Sequence, residues 1–296
     1  MAEAPVGVLV MAYGTPASAD DVEAYYTHIR RGRPPTPEQL ADLQRRYDAI
    51  GGVSPLRART QAQADTIQAA LGDGYVVALG QKHAAPYIED GVGALVDAGV
   101  SRIVGLVLAP HYSALSVGEY AERAGKAATV PFTIIESWHL EPALLDALAA
   151  RVRDALPGMP TNSGVAVLFT AHSLPARILE TGDPYPDQLR ETAEAVASRA
   201  RVTRWRMAWQ SAGRTPEPWL GPDILDVVRA MPGEGIDAVV VCPAGFTSDH
   251  LEVLYDVDVE ARRVADEVGV WLVRTDSIND DLAVMSALAD LVRAAA

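Results

Sequence analysis

Short runs of consecutive apolar residues alternate along this chain with longer stretches in which apolar positions recur every three or four residues. The short runs predict strands at 6–12, 75–80, 103–109, 132–136, 165–170, 204–210, 238–242 and 270–274. The periodic stretches predict helices at 37–49, 56–71, 87–98, 141–155, 186–200, 249–268 and 280–295. Strands that are apolar throughout and separated by amphipathic helices belong to parallel sheets covered on both faces. The breaker-rich stretch 156–164, which contains Pro157, Gly158, Pro160, Asn162 and Gly164, reads as a link between two lobes. The expected domains are therefore 1–156 and 157–296, with the C-terminal helix free to pack back on the first.

The two halves echo each other. Val8-Leu9-Val10-Met11-Ala12-Tyr13-Gly14-Thr15-Pro16 aligns with Val167-Leu168-Phe169-Thr170-Ala171-His172-Ser173-Leu174-Pro175. Farther on, Val107-Leu108-Ala109-Pro110-His111-Tyr112-Ser113 echoes Val241-Cys242-Pro243-Ala244-Gly245-Phe246-Thr247-Ser248, with Pro110 equivalent to Pro243. The expected fold class is α/β, with two similar doubly wound, Rossmann-like parallel-sheet domains and a cleft between the lobes. The first half is longer between equivalent strand tips. Its surplus lies around 25–56, at the carboxyl end of a strand, where open α/β sheets bind ligands.

Charge narrows the partners. The formal net charge of −14 opposes binding to nucleic acid or to an anionic membrane surface. No apolar run approaches a membrane-spanning length, and the start of the chain, Met1-Ala2-Glu3-Ala4, lacks a basic signal-peptide region. Cys242 is the one cysteine, so the chain by itself builds neither a disulfide nor a four-cysteine metal centre. A cytoplasmic protein without membrane attachment is expected.

Three features carry candidate chemistry. Tyr13 and His172 occupy equivalent strand tips, although position alone favours a structural, hydrogen-bonded histidine. Glu252, Asp256 and Glu260 fall at i, i+4 and i+8 of the predicted 249–268 helix. That spacing suits either a solvated acidic face or a ladder for cations or protons. The 25–56 insertion gathers Tyr25, Tyr26, Arg30, Arg31, Arg33, Arg45, Arg46 and Tyr47. Arginine forks with aromatic rings fit either a solvated basic loop or the grip of a flat, carboxylate-bearing ligand. No phosphate loop, His-Glu-x-x-His site or Gly-x-Ser-x-Gly elbow is present.

These segments together resemble one family. Met11-Ala12-Tyr13-Gly14-Thr15-Pro16, the run from Tyr26 to Gly32, Gly51-Gly52-Val53-Ser54-Pro55-Leu56, Ala171-His172-Ser173-Leu174-Pro175, Gly182-Asp183-Pro184-Tyr185-Pro186, Trp209-Gln210-Ser211-Ala212-Gly213, Pro218-Trp219-Leu220-Gly221-Pro222 and Asp249-His250-Leu251-Glu252-Val253-Leu254-Tyr255-Asp256 are all similar to ferrochelatase segments, in family order. The likeness is strongest to the soluble, monomeric type that forms coproheme. It implies a class II chelatase fold and the insertion of Fe2+, as substrate, into coproporphyrin III, with other haem-pathway enzymes as neighbours. By the same resemblance, His172 and Glu252 are the catalytic, metal-binding pair, and Tyr13 is the axial ligand of the product iron. Arg30, Arg46, Tyr47, Ser54, Tyr120, Lys82 and His83 are the residues that hold the porphyrin. Asp256 and Glu260 correspond to an outer site for Mg2+ or another divalent cation. With Cys242 alone, the chain resembles members without an iron–sulfur cluster.

The residue types suit that chemistry. Insertion must remove two pyrrole protons and strip water from the metal. A neutral imidazole accepts protons or ligates iron, and a carboxylate beside it offsets the charge of the cation. This donor set also binds Zn2+, Co2+ and Cu2+. Protoporphyrin IX as substrate, a sirohydrochlorin-type chelatase and a non-catalytic haem-binding protein are the competing expectations. The pairing of His172 with Glu252 favours an enzyme over the last.

Overall fold

The computed structural model describes residues 4–160 and 164–296. The signal-peptide expectation at 1–3 and part of the link expected at 156–164 lie outside the described residues. The chain divides into two compact units.

The first unit takes the chain up to Trp138, with Ser248–Leu251 and Asn279–Ala296. Its sheet holds β1 (Val6–Ala12), β2 (Tyr75–Gln81), β3 (Arg102–Val107) and β4 (Phe132–Ile135) in the order β2-β1-β3-β4. All neighbours are parallel, and β1 is buried from Gly7 to Ala12. This is the burial expected of a central strand covered on both faces. Between β1 and β2 stand α1 (Val22–Ile29), α2 (Pro37–Ala49) and α3 (Leu56–Leu71). A capping box fixes the start of α2: Thr36 accepts from the Gln39 amide, the Gln39 side chain accepts from Thr36 N, and Pro37 opens the helix. The sheet is completed by α4 (Ile88–Asp97) and α5 (Val117–Ala127).

The second unit comprises His139–Thr247 and Glu252–Ile278. Its strands are β5 (Val165–His172), β6 (Trp205–Gln210), β7 (Ala238–Cys242) and β8 (Trp271–Arg274), ordered β6-β5-β7-β8 and again all parallel. The order repeats that of the first sheet strand for strand, which makes the internal echo a structural repeat. Here β5 is followed by α7 (Tyr185–Ala200) alone, so α1 and α2 are the surplus of the first half. The helices α8 (Ile224–Ala230), α9 (Leu251–Tyr255) and α10 (Arg262–Val268) follow, with a π-helical segment at Asp256–Ala261 between the last two. The single helix expected over 249–268 is thus three pieces.

The last helix of each half belongs to the other unit. Helix α6 (Pro142–Ala155) follows β4, yet it packs on α7 and β7 through Leu144, Leu145, Leu148, Ala149 and Val152. Helix α11 (Leu282–Ala295) follows β8 and packs on α3, β3 and β4. The boundary therefore lies at Trp138/His139 and not at 156/157. Apolar periodicity locates a helix but does not say which sheet its apolar face covers. Three helices, α1, α5 and α8, were not among those predicted. Among the described residues no helix is long and apolar enough to cross a membrane.

Candidate functional site

Two clusters hold most of the residues singled out from the sequence, one at the β1 tip and one at the β5 tip. Strand β5 ends on His172, half-buried. Its carbonyl accepts from the buried hydroxyl of Tyr185 at 3.0 Å, and the ring donates from Nδ1 to the Ser173 carbonyl. That bond leaves Nε2 to face Glu252, whose Oε1 lies 3.6 Å away. The tip is tightly packed: a Cβ on Gly245 would stand 2.4 Å from that of Ala171, the residue before His172. Only glycine allows that approach.

Burial pulls the His172 imidazole down, but the Glu252 carboxylate, the Ser173 carbonyl and the charge of Asp256 outweigh it and push the pKa up to about 9. That direction favours an imidazolium facing a carboxylate at neutral pH. A neutral imidazole is the form that ligates a metal or accepts a proton. It arises once a cation displaces the proton or a base removes it.

Behind the pair, the acidic helix turns π-helical at Asp256–Ala261. Asp256 is buried and accepts from the Ser211 hydroxyl, while Asp258 pairs with Arg274. Glu260 sits in the π-helical segment. Among the described residues no group of three or more His, Cys, Asp or Glu side chains converges on a point where a metal ion would fit. Glu252, Asp256 and Glu260 therefore do not close on one ion.

In the first unit Tyr13 directly follows β1 and is 42% exposed. Gly14 makes the turn behind it, with φ +91 and no room for a side chain beside Ala84. The Tyr25 hydroxyl of α1 donates to the Gly14 carbonyl at 3.1 Å, which ties the insertion to this tip. The Tyr13 ring lies 4.6 Å from that of His83, centroid to centroid. The adjoining loop runs alongside the tip: Lys82 N donates to the Ala12 carbonyl and His83 N to that of Tyr13, both at 2.9 Å. Lys82 is ion-paired with Glu119, and its ammonium lies 5.4 Å from the centre of the buried Tyr120 ring. Burial, then Lys82, His28 and Arg123, hold the His83 imidazole down to about 3, so it is neutral. Burial pushes the Tyr120 hydroxyl well above the ordinary tyrosine range.

The insertion residues are spread out. Tyr47 is buried, its hydroxyl 3.4 Å from that of Thr15. Ser54, also buried, accepts from Leu56 N and so caps the entry to α3. Arg46 pairs with Asp42 on α2 at 3.3 Å. Arg30 ends α1, donates to the Arg33 carbonyl at 3.2 Å and lies over the Tyr26 ring. The sequence reading gave no individual role to His28, whose Nδ1 is 3.0 Å from that of His83, nor to Glu119, Arg123, Tyr185 or Gln210. Gln210 carried two legible signals, its place at the carboxyl end of a strand and its membership of the Trp209–Gly213 segment that resembles the family.

The family model named Ferrochelatase matches residues 5–296. The chain belongs to the ferrochelatase family. Within that family it is 45% identical to the coproporphyrin III ferrochelatase of Anoxybacillus flavithermus, over 99% of this chain and 96% of the relative. It is 43% identical to the protein of that name from Bacillus subtilis, over 99% and 98%. Among solved structures, its fold matches the sirohydrochlorin chelatase SirB from Bacillus subtilis subspecies spizizenii in complex with cobalt, with TM-score 0.59 and 14% identity, covering 99% of this chain and 95% of that one. It also matches CbiX, the terminal enzyme for biosynthesis of siroheme in denitrifying bacteria, with TM-score 0.57, 15% identity and 99% of both chains covered. The ferrochelatase-family chain thus has the class II chelatase fold.

Proposed function

We propose that this protein is a metal chelatase of haem biosynthesis that inserts Fe2+ into coproporphyrin III and releases Fe-coproporphyrin III, coproheme. The observation that carries the reading is the set of near full-length relatives, 43–46% identical, that bear the name coproporphyrin III ferrochelatase.

Insertion exchanges two pyrrole protons for one Fe2+, so the protein must accept a dication and dispose of protons. His172 and Glu252 supply the nitrogen and oxygen donors for the arriving iron. Binding the cation expels the proton held on His172, because a ligating imidazole must be neutral. As the iron passes to the pyrrole nitrogens, Nε2 of His172 is released and takes one pyrrole proton, and the Glu252 carboxylate takes the other. Arg30, Arg46 and Ser54 hold the propionates, and the charge-assisted bonds of the arginines supply binding energy that can strain the ring. Tyr47, Tyr120, Lys82 and His83 shape the porphyrin site. A neutral His83 and a Lys82 already paired with Glu119 add little net positive charge against the incoming Fe2+. Tyr13 ligates the iron of the product. Asp256 and Glu260 serve as an outer site for Mg2+ or another divalent cation. The single cysteine, Cys242, cannot supply the ligands of an all-cysteine iron–sulfur cluster. We read the protein as a cytoplasmic monomer that exchanges substrate and product with neighbouring haem-pathway enzymes.

The test is anaerobic steady-state Fe2+ insertion with coproporphyrin III against protoporphyrin IX. The expected outcome is a kcat/KM for coproporphyrin III at least about tenfold higher. Equal values, or a preference for protoporphyrin IX, would overturn the substrate assignment.

A further inference from the structure

At the tip of β6, next to β5, Gln210 stands opposite His172 in the parallel register. Its main-chain carbonyl accepts from Ser173 N at 2.8 Å, which fixes the backbone immediately after His172. Its side-chain amide donates to the main-chain carbonyl of Glu252 at 2.9 Å. One residue therefore grips the backbone on both sides of the 3.6 Å His172–Glu252 contact. Gln210 is only 1% exposed, so no bulk water replaces its amide if it is lost, and the Glu252 carbonyl would forfeit this donor.

The next residue repeats the arrangement. Ser211 has φ +60, a left-handed conformation that a residue with a side chain adopts at a cost. In that turn its hydroxyl reaches the Asp256 carboxylate, one helical turn beyond Glu252. Consecutive residues of one strand tip thus hold two successive acids of the same helical segment. A second mark is that Gln210 Oε1 is buried with no hydrogen-bond partner among the described residues. A glutamine kept only for stability would be better replaced by an apolar residue of its size.

We infer that Gln210 is a positioning residue that sets the separation of His172 and Glu252 for the divalent metal, with Ser211 holding the following turn in place. The inference rests on the reading of His172 and Glu252 as the metal-handling pair. Gln210 touches neither the porphyrin nor the metal in this role; it acts through the two backbones it grips.

The experiment uses the full-length protein with Gln210→Met, which keeps the volume and removes the amide, and Gln210→Asn, which keeps the amide on a shorter arm. Fe2+ insertion is measured with each substrate varied in turn. Rates are normalised to porphyrin-binding sites counted by fluorescence quenching, so a partly unfolded sample does not imitate a defect. For Gln210→Met the KM for Fe2+ should rise about tenfold, the usual effect of removing a partner that orients a metal ligand. The KM for the porphyrin should stay within about twofold of wild type. Gln210→Asn should fall between and decides the matter if the methionine variant does not fold. Co2+ titration, read by its visible ligand-field band, should weaken in parallel. A wild-type Fe2+ KM in whichever variant folds, with only the melting temperature lowered, would reduce Gln210 to a structural role and overturn the inference. His172→Ala and Glu252→Gln are run alongside. If they insert iron normally, the metal-handling reading itself fails. If they are inactive while the Gln210 variants keep a normal Fe2+ KM, only the present inference fails.

Discussion

At the scale of single residues, the proposed chemistry rests on the contact between His172 and Glu252. Substituting His172 by Ala should lower iron insertion by at least about a hundredfold, the range for loss of a proton-transfer group, while porphyrin binding persists. Near-normal turnover in that variant would end the assignment. The same pair makes stability depend on pH. The His172 pKa is raised from 6.5 to about 9 in the folded protein. Its contribution is therefore complete below about pH 6.5 and is lost as the pH climbs through about 9. Thermal melts of wild type and Glu252→Gln should differ most near pH 6, by the equivalent of about 1 kcal/mol after allowance for solvent screening, and converge above pH 9. A difference that grows with pH would contradict the ion pair. Tyr13 has a separate proposed role, as ligand of the product iron. Tyr13→Phe should alter the visible and spin-state spectrum of bound ferric coproheme while insertion continues, and His172→Ala should leave that spectrum largely unchanged. The reverse pattern would make His172 the ligand of the product iron.

At the scale of elements, the insertion formed by α1 and α2 distinguishes the first half of the chain from the second. Arg30 ends α1, and its guanidinium lies over Tyr26, on the same helix. Arg30→Ala should weaken coproporphyrin binding about tenfold, the loss of one charge-assisted hydrogen bond, with a smaller effect on the turnover of bound substrate. An unchanged dissociation constant in a fluorescence-quenching titration would return this arginine to the solvated surface. The acidic element teaches a different lesson. Regular i, i+4 spacing predicted one helix with a continuous row of carboxylates. The segment turns π-helical at Asp256–Ala261 and buries Asp256 against Ser211, while Asp258, outside that row, pairs with Arg274. Ser211, just after β6, and Arg274 on β8 decided these positions, and helical periodicity carries no information about them.

At the scale of the whole molecule, the chain order and the packing order differ. Helix α11 is the last element, yet it completes the first unit by burying Val284, Met285, Leu288, Ala289 and Val292. Leu288 is fully buried, so Leu288→Ala should cost about 2–5 kcal/mol, visible as a lower denaturation midpoint. A midpoint close to wild type would show that α11 adds little to the first unit. The eight strands, the parallel sheets and the internal repeat were legible in the sequence, because apolar runs and breakers are local signals of burial on both faces. The strand-tip placement of Tyr13 and His172 followed from the same pattern, and the family's motifs singled out Glu252. The sequence left α11 free to return to the first unit, as it does, but only the tertiary structure decided that α6 serves the unit opposite to the half it follows, that the neighbours of His172 push its pKa up, and that Gln210 grips both sides of the His172–Glu252 contact. Each of these depends on what lies across a contact between segments distant in the chain. A one-dimensional pattern records which face of an element is apolar or charged, but not which partner that face will meet.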